Sequence, residues 1–319
     1  MHIAPAALVE GRRRRRRLLL ATAAVVLGLL GIYIAISWVF SDKLIARQFS
    51  SDEQVQFSDF GLPSPQDVTI DNGKTHLAAW YFANPRAEKC AVVMLHGFTG
   101  NKATVLVAAP LFWNRGCDLL FYDLRGHGAS SRGLLTYGVA DKKDELAVVD
   151  WLEKRTGLSD ERVGLIGWSY GAATSLQAAA VRQGLAFVVA DASFSSLHDI
   201  ASVQAGSLFG SWAKIFVPGA LFVSGLRADF DPSEASPEKA VRNLRTPVLL
   251  IHSTTDEVTP YQQSEVIFAH ADHRHTRLVL TRWGAPHAMS YGTDTPAYTR
   301  FVDSFLDTYV PRFGSRQTP

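Results

Sequence analysis

The sequence predicts an α/β fold, a mostly parallel sheet with helices on both faces, behind one N-terminal transmembrane helix. Three observations predict it: a long uncharged run after six consecutive arginines, a later alternation of short apolar runs with helical stretches, and a serine set between two glycines where one apolar run turns into an alanine-rich stretch. At 319 residues, 47% hydrophobic and 19% charged, the composition is that of a globular chain able to bury one large core.

The N-terminal element comes first. Residues 1–17 end in Arg12–Arg17 and read as a cytoplasmic segment; Leu18–Phe40 follows as 23 residues without a charge. A helix of that length covers about 34 Å, against about 30 Å of hydrocarbon. The basic residues before the span favour an N-in orientation, which carries residues 41–319 to the extracytoplasmic side as a single-pass membrane protein. The alternative is a cleaved export signal, with Ala35-Ile36-Ser37 as the small-residue site and Arg16-Arg17 as a twin-arginine pair, which leaves a soluble exported form. Removing the arginine run changes the charge balance: 26 basic and 29 acidic residues remain from Ser41 onward. A slightly acidic body without basic clusters gives no footprint for nucleic acid.

The sheet follows. "DVTI" and "HLAAWYF" (76–82) flank the "DNG" turn at 71–73 and read as a hairpin. "CAVVMLHG" (90–97), "DLLFYD" (118–123), "RVGLIGW" (162–168), "AFVVAD" (186–191), "PVLLIH" (247–252) and "TRLVLT" (276–281) are mostly apolar, as strands buried on both faces are. Between them, 139–155 places Leu146, Val149 and Leu152 on one helical face, and 171–184 is a second helix ended by Gly184. Residues 194–236 separate two strands by far more than one helix needs and are dense in apolar residues, so they read as a helical cap over a site. Cys90 and Cys117 each stand six residues before an expected strand end. Were those strands parallel neighbours, the pair would fall within disulfide reach; we read them instead as buried free thiols acting as small hydrophobes.

The chemistry centres on "VGLIGWSYGAA". Two glycines let strand and helix backbones approach closely and hold Ser169 in a strained turn with its Oγ exposed, while the Tyr170 amide stands at a helix start, able to meet a developing oxyanion. Asp256 in "HSTTDEVTP" and His287 in "GAPHAMSY" follow later strands, so serine, acid and histidine open on one edge of a parallel sheet. "LHGFTGN" (95–101) offers the Phe98 amide as a second oxyanion donor. Other readings stay open: Asp191 also follows a strand and is an alternative acid, and Glu257 adjoins Asp256. His96, His127 and Asp123 read as loop-bracing groups, with His127 a minor contender for substrate contact. His270, His273, His275 and Asp272 match no zinc spacing and read as a solvated helix end.

Taken together, "HGFTG", "DLRGHGAS", "GWSYGAA", "DASFSS", "DEVTP" and "PHAMSY" resemble the α/β-hydrolase superfamily, in particular its serine-aminopeptidase-like and monoglyceride-lipase-like branch, over about residues 62–312. The resemblance implies an eight-stranded sheet, a triad of Ser169, His287 and Asp256, and no cofactor. The expected activity is ester cleavage by a membrane-anchored serine hydrolase, on a small or lipid-like ester substrate. Peptidase or thioesterase chemistry, perhydrolysis, and a non-catalytic membrane-tethered binding protein are the rivals.

Overall fold

A computed structural model of the chain describes residues 5–46, 55–86 and 88–315, so the first four residues of the arginine-rich segment lie outside it. Helix α1, Pro5–Ile45, runs unbroken through the expected boundaries at 17/18 and 40/41. Its apolar residues from Leu18 to Leu30 are exposed, whereas Ser37, Ser41 and Ile45 are buried. The helix therefore ends inside the folded body. There the body satisfies carbonyls that a helix terminus leaves unpaired: Tyr137 Oη donates to Leu44 O (2.9 Å) and Leu135 N to Ile45 O (3.2 Å).

Eight strands form one sheet in the order β1-β2-β4-β3-β5-β6-β7-β8: β1 (Gln66–Asn72), β2 (Thr75–Phe82), β3 (Ala91–Leu95), β4 (Asp118–Tyr122), β5 (Val163–Trp168), β6 (Phe187–Asp191), β7 (Val248–Ser253) and β8 (Thr276–Thr281). The first two pair as the expected hairpin, β2 joins β4 antiparallel, and every later pairing is parallel. Strands β3, β5, β6 and β7 are buried along their whole length, which is why they read as mostly apolar runs. Successive side chains leave on opposite faces: Leu165 and Val188 enter one core with Leu152 and Leu176, while Ile166 and Val189 enter the other with Phe112 and Leu306.

Helices α2 (Asp141–Thr156), α3 (Tyr170–Val181), α6 (Gln262–His270) and α7 (Thr295–Tyr309) cover the sheet. In α2, Val148, Val149 and Leu152 are buried while Leu146 is half-buried, so the inner face is turned slightly from the expected one. The expected cap region holds α4 (Leu197–Phe209), a 3-10 turn (Ser211–Phe216) and α5 (Val217–Ala228), between β6 and β7.

The cysteines differ from the expected free thiols. Cys90 and Cys117 form a disulfide, with Cα atoms 4.7 Å apart. The reason is register: Ala91 pairs with Asp118 across β3 and β4, and Asp118 N donates to Cys90 O (2.9 Å), which puts the two preceding residues at the same height on neighbouring strands.

Candidate active site

Ser169 lies between β5 and α3 at φ 53°, a left-handed conformation that costs a non-glycine residue about 1–3 kcal/mol. Both flanking glycines are required by close approach. A Cβ on Gly171 would come within 2.6 Å of His96 O, and one on Gly167 would overlap the backbone of Gly171. The turn is tied down from two sides: Ser169 N donates to Asp191 O (2.8 Å), and Tyr170 Oη accepts from Tyr137 N (2.8 Å) while donating to Asp141 Oδ2 (3.0 Å). Buried in this network, Tyr170 aims its ring into the core and leaves its amide at the first, unpaired turn of α3.

The structure brings Ser169, His287 and Asp256 together. Ser169 Oγ lies 2.8 Å from His287 Nε2, and His287 Nδ1 lies 2.7 Å from Asp256 Oδ2. With Nδ1–H donating to the carboxylate, Nε2 is the lone pair that accepts from the serine hydroxyl. Asp256 is itself fixed: Oδ1 accepts from the amides of Val258 and Thr259 (both 2.9 Å), and Oδ2 also lies 3.2 Å from His252 Nε2. Burial by itself would raise this carboxyl, but hydrogen bonds from His252, His287 and the Thr259 amide outweigh it and hold Asp256 well below the usual carboxylate range. The ring of His252 is buried, with Nδ1 2.6 Å from Ser264 Oγ and Nε2 2.7 Å from Thr259 O. Sequence reasoning missed this residue; a histidine at the end of β7, four positions before the acid, was its one signal.

The alternatives fall elsewhere. Asp191 is buried below the elbow, where desolvation pushes its carboxyl up to about 7, and the His287 ring bonds to Asp256 instead. Glu257 is exposed. His96, pushed down to about 3 mainly by burial, accepts from Leu124 N (3.1 Å). Asp123 accepts from Lys102 Nζ (2.9 Å), Lys102 N (2.7 Å) and Ala129 N (2.9 Å). His127 is buried and donates from Nε2 to Phe98 O (2.6 Å), so its ring is occupied in holding the 97–101 loop to the 123–129 loop. At the end of α6, His273 stacks on Phe268 and Asp272 pairs with Arg274 (2.7 Å); among the described residues no group of His, Cys, Asp or Glu gathers as metal ligands would.

A cavity of about 830 Å³ opens on the serine and histidine. Phe98 and Tyr170 line it, with Ile200, Ala205, Leu208 and Phe209 of the cap. So do Phe40, Lys43 and Leu44 of α1, which sequence reasoning had placed in the anchor or just past it. Among the described residues the lining holds no carboxylate, and Lys43 is its one formal cation.

Comparison with known proteins agrees with this architecture. A family described as X-Pro dipeptidyl-peptidase (S15 family) matches residues 43–217. The chain belongs to that family. The matched stretch includes Ser169 and stops before Asp256 and His287. A Bacillus subtilis relative named uncharacterized protein YqkD is 30% identical over 266 residues, covering 81% of this chain and 82% of its own. Among solved structures, a Pyrococcus furiosus esterase superposes with TM-score 0.67 at 20% identity, covering 83% of this chain and 98% of that one. Est1E from Butyrivibrio proteoclasticus does so with TM-score 0.58 at 22% identity, covering 76% and 99%. An acylaminoacyl peptidase from Pyrococcus horikoshii gives TM-score 0.61 at 16% identity, covering 81% of this chain and 43% of that one. The fold is thus that of the α/β-hydrolases, and the S15 family member on it is a hydrolase.

Proposed function

We propose that the protein is a membrane-anchored serine hydrolase that cleaves carboxylic esters with apolar acyl groups through a covalent acyl-enzyme. The observation that carries the reading is the hydrogen-bonded line from Ser169 Oγ through His287 to Asp256, opening on an apolar cavity. His287 Nε2 takes the Ser169 proton as Oγ attacks the ester carbonyl. The amides of Phe98 and Tyr170 receive the oxyanion, and the proton passes from Nε2 to the departing alkoxide. Water, deprotonated by the same nitrogen, then attacks the acyl carbon, and Oγ recovers its proton as the acid leaves. Asp256 keeps the ring in the accepting tautomer and stabilises the imidazolium between the steps.

Peptidase chemistry uses the same groups, and the family description names X-Pro dipeptides. A dipeptidyl-peptidase must hold a free ammonium, a task for a carboxylate in the site. Among the described residues the cavity lining has none and carries Lys43 instead, which favours the ester reading.

Retention of the anchor is supported by how α1 ends. Cleavage after Ser37 would remove Tyr33, whose ring stacks on Phe216 of the cap at 5.3 Å and whose hydroxyl donates to Ile215 O (3.2 Å). The test is labelling by an alkyl fluorophosphonate together with turnover of p-nitrophenyl acetate and of an Xaa-Pro anilide. The expected result is labelling and ester turnover that vanish in Ser169→Ala, with no anilide release. Labelling that survives the substitution refutes the serine mechanism, and preferred anilide release refutes the ester assignment.

A further inference from the structure

Helix α1 is joined to the cap along a closely packed seam. Gly219 of α5 faces it, and a Cβ there would come within 2.8 Å of the Tyr33 ring and overlap Ser37 Oγ. Below, Ser224 Oγ donates to Ser41 Oγ (3.0 Å), and Arg227 pairs with Asp42 (2.5 Å) while lying over the Trp38 ring. Phe40 stacks on Phe209 at 5.3 Å. Small residues at the contact are what close helix approach within a membrane uses.

This seam fixes the depth of the cap. Tyr33 stands seven residues inside the end of the uncharged span at Phe40, about 10 Å along the helix axis. The 3-10 turn Ser211–Phe216, which Tyr33 touches, is therefore held level with the hydrocarbon end of the span. Large apolar side chains of this turn and of α5 are turned outward: Trp212 is 61% exposed, Ile215 62%, Phe222 66% and Leu226 71%, with the exposed Lys214 between the first two on a stem long enough to carry its charge to the interface. Phe222 and Leu226, three and seven positions after Gly219, lie beside the seam. Leu208 and Phe209 both line the cavity and reach the surface on the same cap. A cluster of this kind on a water-facing surface would be anomalous, and its continuity with an exposed apolar span identifies what covers it.

We propose that the cap rests in the bilayer, and that an acyl chain enters the cavity directly from the lipid phase beside the seam, where Leu208 and Phe209 both line the cavity and reach the surface. The substrate is then an acyl lipid presented by the membrane. Phe40 and Leu44 of the anchor form part of its binding wall. This rests on the ester-hydrolase reading above and adds the source of the substrate.

The test uses the full chain in phosphatidylcholine vesicles, with p-nitrophenyl palmitate dissolved in the lipid and p-nitrophenyl acetate in the water. The triple variant Trp212→Ser, Ile215→Ser, Phe222→Ser changes exposed side chains that do not line the cavity. It is expected to lose at least tenfold on the palmitate ester and less than twofold on the acetate ester. In parallel, Trp212 fluorescence, isolated as wild type minus Trp212→Phe, is expected to be quenched by lipids brominated on the acyl chain. An unchanged palmitate-to-acetate ratio, or absence of Trp212-dependent quenching, overturns the proposal. A wild type lacking Ser169-dependent acetate turnover instead overturns the hydrolase reading beneath it.

Discussion

Replacing Asp256 with asparagine probes the site through one atom. The Oδ1 position accepts two backbone amides, from Val258 and Thr259, so the asparagine oxygen must occupy it and the amide nitrogen takes the place of Oδ2. There it meets His287 Nδ1 at 2.7 Å and His252 Nε2 at 3.2 Å, both donors in the native arrangement. His287 escapes the donor-donor conflict by moving its proton to Nε2, which then points an N–H at Ser169 Oγ and can no longer take its proton. The substitution preserves shape and loses the base. Wrong-tautomer variants of other serine hydrolases lose about ten-thousandfold in kcat, and we expect roughly a thousand- to ten-thousandfold here, about 4–5.5 kcal/mol of barrier. The assay is steady-state turnover of p-nitrophenyl acetate, with the rate of fluorophosphonate labelling as a second readout of nucleophilicity. Asp191→Asn is the control at the rival acid position. A loss below tenfold in Asp256→Asn, or a larger loss in the control, would refute the assignment of the acid.

Two further outcomes concern stability. The disulfide closes a loop of 27 residues, and the chain-entropy relation puts its contribution at about 3.5 kcal/mol. Cys90→Ser with Cys117→Ser should therefore lower the thermal midpoint by about 6 °C, leaving kcat on short esters within twofold; an unchanged melting curve by circular dichroism refutes this. Burial pushes Glu145 up to about 8 from its ordinary 4.5, only partly opposed by the hydrogen bond from Ser175 Oγ (2.9 Å). A raised carboxyl stabilises the fold below its unfolded value and loses that contribution as pH rises to the folded one. Stability should accordingly fall between pH 4.5 and 8 by up to about 1.4 kcal/mol per unit. Glu145→Gln should flatten that slope in urea titrations at pH 5 and pH 8; a wild type and variant with parallel pH dependence would contradict the burial argument.

The parts of the molecule that read well in sequence are those whose physics is local. Strands β3, β5, β6 and β7 are buried throughout and so appear as mostly apolar runs, and the Gly167 contact with Gly171 that forces the elbow acts within one short turn. The positions of Asp256 and His287 were legible because a parallel sheet sends its carboxyl ends to one edge. What was hidden depends on pairings distant in the chain. The Cys90–Cys117 bond requires β3 and β4 to be adjacent in register, which the order of runs does not fix. Neither does a uniformly apolar span reveal which side meets a partner: Ser37 and Ser41 meet Gly219 and Ser224 from about 180 positions away. His252 is one histidine among 10, and its part in holding Asp256 emerges only when the ends of β7 and the following loop are set side by side.

The sulfur bridge also has a bearing on how the protein is made. It clamps β3 and β4 at the ends remote from Ser169, while their other ends run into the loops carrying Phe98 and His127. Chains synthesised in a reducing cytosol would keep two thiols there and rely on the Asp118–Cys90 backbone bond and the ladder from Ala91–Asp118 to Leu95–Tyr122 to set the strand register. Host compartment and added reductant are therefore variables to control in any purification, since two preparations of identical sequence can differ by this one covalent link.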